Sequence, residues 1–192
     1  MLELIAGLTL FLGVHSVRIV ADGWRSVQIA QRGETVWKLS YTALSLLGLG
    51  LIIWGYGQAR LSPQVLWATP KGMNHLAALL TLVSFVFLVA AYVPRNAIKA
   101  RLKHPMVLSV KVWALAHLLA NNTVADLLLF GGFLVWAVLC FRAARQRDRV
   151  NPPAAIQARP LNTAITVLVG AVAWALFAFV GHAALIGVRP MG

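Results

Sequence analysis

The chain has 192 residues, of which 60% are hydrophobic and 11% charged, with a mean hydropathy of +0.78; a soluble domain carries about 25% charged residues, so a soluble globular protein is excluded. The net charge of +12 would suggest nucleic acid in a soluble chain, but here the basic residues fall between apolar runs, where topology and anionic lipid account for them, and nucleic acid is set aside. The single cysteine, Cys140, lies within an apolar run, which rules out an intrachain disulfide and a cysteine-based metal cluster.

Six stretches approach or reach the ~20 residues needed to cross ~30 Å of hydrocarbon. The first, near Leu2 to Ala21, starts MLEL without a basic n-region and has no small-x-small cleavage site after it, so it reads as a retained helix. Residues 22–38 then alternate Trp24, Val27, Ile29, Val36 and Trp37 with Arg25, Arg32, Glu34 and Lys38, the pattern of an amphipathic helix on the membrane surface. A second span runs near Leu39 to Tyr56, followed by a proline-containing loop over 58–72, a third span near Met73 to Val93 and a second loop over 94–105. The fourth span, near Met106 to Ala120, is short, and only Asn121, Asn122 and Thr123 separate it from the fifth, near Val124 to Phe141, which predicts a tight helical hairpin. RAARQRDRVNPPAAIQARP, from Arg142, reads as a basic linker, and the sixth span lies near Leu161 to Val188.

Positively charged loops stay cytoplasmic. Thirteen of the seventeen Lys and Arg residues lie in 18–38, 95–103 and 142–159 on one side, against Arg60, Lys71 and Arg189 on the other, with Lys111 inside a span. Both termini are therefore expected outside, on the periplasmic face of a bacterial inner membrane, and Trp54, Tyr56, Trp67 and Tyr92 near span ends fit an aromatic belt. Helices in lipid associate by close packing, which makes Gly7, Gly13, Gly48, Gly131, Gly132 and the Gly170–Ala178 series the expected contact points. The expectation is an all-α protein: an integral membrane bundle of six transmembrane helices forming a single membrane domain over residues 1–192, with membrane lipid as a partner.

Five histidines remain. An intramembrane histidine marks a functional site by default, and His15 and His117 each lie well inside a span. At ~1.5 Å per residue His15 is roughly 9 Å from the cytoplasmic end of its helix and His117 roughly 16 Å from the cytoplasmic start of its own. That difference is compatible with two ligands on opposite faces of one haem, although counting from Asn121 instead brings His117 level with His75, which stays as an alternate ligand. His104 is interfacial and can be satisfied by water. His182 reads better as a helix contact, a bond worth about 0.6 kcal/mol on average. Zinc usually wants three or four converging ligands, and the spans offer few carboxylates, Glu3 and Asp126, whereas two imidazoles suffice for haem iron. Trp113, one turn before His117, is placed to line such a pocket, and Arg18, Arg101 and Lys111 lie near the level of the propionates.

At these same residues the chain resembles a known family. FLGVHS at Phe11 to Ser16, WGYGQAR at Trp54 to Arg60, His75, LVAAYVP at Leu88 to Pro94, IKARLKHPM at Ile98 to Met106 and KVWALAHLLAN at Lys111 to Asn121 together look like the NnrU family of bacterial membrane proteins, with HAALIGVRP extending the likeness to the end. The resemblance implies an association with nitrite and nitric oxide reduction in denitrifying bacteria. The family is also similar to the plant 15-cis-ζ-carotene isomerases, haem b enzymes sharing an HS in the first span, a basic-HP tripeptide and an AH thirteen residues beyond that histidine. Here these are His15 with Ser16, Lys103-His104-Pro105 and Ala116-His117. Carried over, His15 and His117 are axial ligands of haem b, and the partners implied are a lipid-soluble polyene or components of nitrogen-oxide reduction. Ala114 stands where the plant enzymes have a cysteine one turn before the AH histidine, which puts ligand switching through a thiolate in doubt.

Two other functions compete. The basic-HP segment is also similar to that of isoprenylcysteine carboxyl methyltransferases, which bind S-adenosylmethionine, although Met106, Val107, Leu108 and Ser109 lack the tyrosine and glycine that usually follow there. A non-catalytic membrane subunit or assembly factor is favoured by the absence of a nucleophile with a base, a phosphate loop or a carboxylate pair.

Overall fold

The structure, a computed structural model, describes residues 1–191. Every regular element among them is helical: α1 (Leu2–Val20), α2 (Asp22–Arg32), α3 (Glu34–Ala59), α4 (Met73–Tyr92), α5 (Ala97–Leu102), α6 (Pro105–Ala120), α7 (Val124–Val150) and α8 (Pro160–Leu176), which continues through a π-helical turn (Phe177–Gly181) into α9 (His182–Ile186). Five of these stretches, Leu2–Val20, Glu34–Ala59, Met73–Tyr92, Val124–Val150 and Pro160–Ile186, are long and apolar enough to cross a membrane. The sixth apolar helix, α6, has 16 residues and rises ~24 Å, short of a ~30 Å hydrocarbon core.

Three boundaries differ from the sequence expectation. The surface helix does not run to residue 38: α2 ends at Arg32, Gly33 turns the chain at φ +85, and Glu34 to Lys38 already belong to α3. Glycine takes that backbone conformation without the steric cost a Cβ would bring. The 94–105 loop contains α5, capped where the Asn96 side chain accepts from Lys99 N at 2.7 Å. Finally, the linker expected from Arg142 is helical as far as Val150. Arg, Ala and Gln are good helix formers, and the first breaker is Pro152, so the change in charge does not coincide with a helix end.

The chain forms two compact units, Met1–Trp67 with Asn122–Cys140 and Ala68–Asn121 with Phe141–Gly192. In the first, α1 and α3 pack backbone against backbone. A Cβ on Gly48 would sit 2.9 Å from Phe11 N and one on Gly7 2.6 Å from Ile52 N, so only glycine permits this approach. A Cβ on Gly13, expected at such a contact, would meet nothing within 4 Å beyond its own helix backbone among the described residues. The start of α7 is fixed to the end of α3. Asp126, 6% exposed, accepts from Tyr56 Oη at 2.5 Å, Thr123 N at 3.0 Å and Thr123 Oγ1 at 2.6 Å, while Asp126 N donates back to Thr123 Oγ1 at 3.2 Å. That exchange has the form of a capping box. The 60–67 segment is tied to the same place by Leu66 N to Asn122 O at 2.8 Å and Val124 N to Gln64 O at 3.0 Å, around the isolated bridge Val65–Thr123.

In the second unit, α4 packs on α6 and α8. Ser84 Oγ bonds Ser109 O at 2.9 Å and meets Ser109 Oγ at 3.0 Å, and Trp174 Nε1 donates to Thr81 Oγ1 at 3.1 Å. Such interhelical bonds act as polar glue in lipid. Gly170 lets α8 close on α4, since a Cβ there would stand 2.7 Å from Val86 Cα. Fully buried Asn96 donates to Ala90 O and Val93 O, satisfying carbonyls at the end of α4 that have no intrahelical partner.

Candidate functional site

His15 sits on α1 with Nδ1 2.7 Å from Phe11 O. A carbonyl oxygen can only accept, so Nδ1 carries a proton, and in the neutral ring Nε2 is the nitrogen left to bind a metal. The ring stacks on Phe11 with centroids 4.1 Å apart at 25°, and is flanked by Tyr41 of α3 at 5.1 Å and edge-on by Trp136 of α7 at 6.0 Å; Phe133 closes on Phe11 at 5.8 Å. Three helices of the first unit thus surround one imidazole with aromatic rings. Two buried polar atoms in this unit, Trp136 Nε1 and Ser45 Oγ, have no hydrogen-bond partner among the described residues. Each such group costs about 1–3 kcal/mol. Trp136 is on the His15 wall, and Ser45 lies one helical turn from Tyr41 on the same face of α3.

His117, in the second unit, repeats the same device: Nδ1 is 2.9 Å from Trp113 O, so the proton again resides on Nδ1. Its ring lies 5.1 Å from that of Trp113 at 49°, and Asn121 Nδ2 donates to His117 O at 2.8 Å to close the helix. His75 is exposed in the first turn of α4. Its backbone N–H bonds Gly72 O at 3.1 Å, but among the described residues no ring-nitrogen bond orients it.

The remaining histidines have partners of their own. His104 Nε2 meets Asp148 Oδ2 at 2.9 Å, with Arg145 Nη1 4.0 Å from the same oxygen and the Phe141 ring edge-on at 6.1 Å. Water is therefore not its sole partner: the helical extension of α7 brings Asp148 to it. Lys111 Nζ lies 6.0 Å from the Phe141 ring, within cation–π range. His182 Nδ1 meets Val188 O at 2.7 Å, a local bond rather than one to a neighbouring helix.

Chemically, the His15 cage offers an imidazole in a metal-ligating tautomer, oriented by a backbone carbonyl as ligating histidines are, with apolar aromatic walls and an unused N–H donor. No group of three or more His, Cys, Asp or Glu is placed to hold a metal ion among the described residues. Iron carried in a porphyrin needs only one or two protein ligands, and these residues fit such a group. Neither Tyr41, Ser45 nor Trp136 stood out in the sequence, because their importance depends on which helices become neighbours.

The family model described as NnrU protein matches residues 3–190. No curated protein matches the chain, and no solved structure does.

Proposed function

The chain belongs to the NnrU family, and from that premise we propose a haem b-binding protein of the bacterial inner membrane, with six spans, both termini periplasmic, and His15 and His117 as the residues that would hold the iron. The observation that carries the reading is the His15 cage. There a backbone carbonyl fixes the imidazole in its ligating tautomer, beside an indole N–H that lacks an acceptor. A bound haem supplies a one-electron redox centre. The protein's own residues orient the two ligand rings through Phe11 O and Trp113 O, and Phe11, Tyr41, Phe133 and Trp136 exclude water from His15. Trp136 Nε1 would be free to donate to a polar group of the occupant, and Arg18, Arg101 and Lys111 would be the cations to meet its propionates.

Such a centre serves nitrogen-oxide metabolism or redox-dependent isomerisation of a lipid-soluble polyene. Ala114 leaves no thiol one turn before His117, so any isomerisation proceeds without thiolate ligation at that position. The test is the absorption spectrum and pyridine haemochrome of protein expressed with adequate haem. A Soret band is expected, lost in His15→Ala and in His117→Ala but kept in His75→Ala. Full haem occupancy in both of the first two variants overturns the ligand assignment. A colourless, stable preparation indicates a non-catalytic membrane subunit, and micromolar S-adenosylmethionine binding by calorimetry indicates a methyltransferase.

A further inference from the structure

An apolar groove of about 810 Å³ lies over the start of α8 in the second unit, along Thr163, Ala164, Val167, Leu168 and Ala171, within the ~300–1,000 Å³ range of ligand pockets. Among the described residues its lining side chains offer no free polar group. The one hydroxyl, Thr163 Oγ1, accepts from Ala97 N at 2.9 Å and donates to Arg159 O at 3.2 Å.

The mouth of the groove is different. Arg159 N bonds Arg95 O at 2.8 Å, which brings two exposed arginines side by side next to lining residues Ala97, Ala158 and Pro160. Arg95 is one of only two non-glycine residues at positive φ among those described, at +52, a conformation that persists only where the surroundings enforce it. Here Asn162 Nδ2 to Pro94 O at 2.7 Å and the Ala97–Thr163 bond clamp the turn to the first turn of α8. Neither arginine has a carboxylate within salt-bridge distance among the described residues. Asp148 is the only Asp or Glu in this unit's sequence, and it is held by His104 and Arg145.

We propose that this groove is a binding site for an anionic phospholipid, its phosphate between Arg95 and Arg159 and an acyl chain along Ala164, Val167, Leu168 and Ala171. The chemistry is complementary at both ends: paired positive charges at the mouth, which the orientation proposed above puts at the headgroups of the cytoplasmic leaflet, and an apolar trough along a helix long enough to span. A second copy meeting this face symmetrically would bring two like-charged rims together. A free anion would leave the trough uncovered.

The test uses the delipidated full-length chain in detergent, titrated with phosphatidylglycerol or with phosphatidylcholine of the same acyl chains and followed by native mass spectrometry. One phosphatidylglycerol per chain is expected, bound about tenfold more tightly than phosphatidylcholine. Arg95→Asn with Arg159→Gln, exposed positions where asparagine tolerates positive φ, should weaken it about thirtyfold, roughly fivefold per arginine. Ala164→Leu with Ala171→Leu should weaken both lipids. Equal affinity for the two headgroups, or no response to the arginine substitutions, overturns the site. So does inorganic phosphate raising the melting temperature as much as phosphatidylglycerol does, and so does a concentration-dependent dimer abolished by the leucine pair.

Discussion

Trp136 and Asp126 show two opposite fates for a polar group buried among apolar helices. The indole N–H has no acceptor, so Trp136→Phe removes a liability of about 1–3 kcal/mol while keeping a ring. The haem-free protein should therefore melt no lower than the parent, while haem affinity, followed by optical titration, should fall by about 0.5–1.5 kcal/mol as the donor is lost. The Asp126 carboxylate, by contrast, has three donors. Asp126→Ala strands the Tyr56 hydroxyl and uncaps α7, a loss of about 2–4 kcal/mol, whereas Tyr56→Phe, which leaves the Thr123 bonds intact, costs only about 1 kcal/mol; chemical unfolding in detergent distinguishes the two. His15 and His117 stand out as candidates in the sequence because each imidazole lies inside an apolar run. The Asp126 network was half legible. Thr123 and Asp126 have the spacing of a cap, but its closure by Tyr56, seventy residues away, depends on how α3 meets α7.

At the scale of helices, two glycines of similar sequence context should respond with opposite sign. Gly48→Ala forces a Cβ to within 2.9 Å of Phe11 N, a backbone atom with nowhere to go, and should cost about 1–3 kcal/mol. It should also disturb His15, which stacks on Phe11. Gly13→Ala meets open space on α1 and should stabilise by about 0.5–1 kcal/mol, the ordinary penalty of glycine in a helix; thermal melts of both variants check the pair. The apolar runs announced the long helices faithfully, since a stretch that must satisfy its own backbone in lipid has only the helix available. Errors gathered where charge, not backbone chemistry, was taken as punctuation. Arg142 to Val150 stays helical because nothing before Pro152 breaks it, and the surface helix stops at Gly33 because a positive φ intervenes, not because the polar pattern ends.

For the whole molecule, the basic residues set the expected orientation. In a Cys140→Ala background, Met191→Cys should react with a membrane-impermeant maleimide on intact cells, whereas Gln157→Cys should react only after permeabilisation; the reverse pattern would invert the topology. The two compact units do not follow one another along the chain. The first borrows Asn122–Cys140 from beyond most of the second, and the second resumes at Phe141. A ribosome that has released only α1 to α3 has made Tyr56 but not Asp126, and the Trp136 wall of the His15 cage is still unwritten. No single cut can therefore yield a self-sufficient half, and a fragment stopping at Trp67 should be degraded where the complete chain persists.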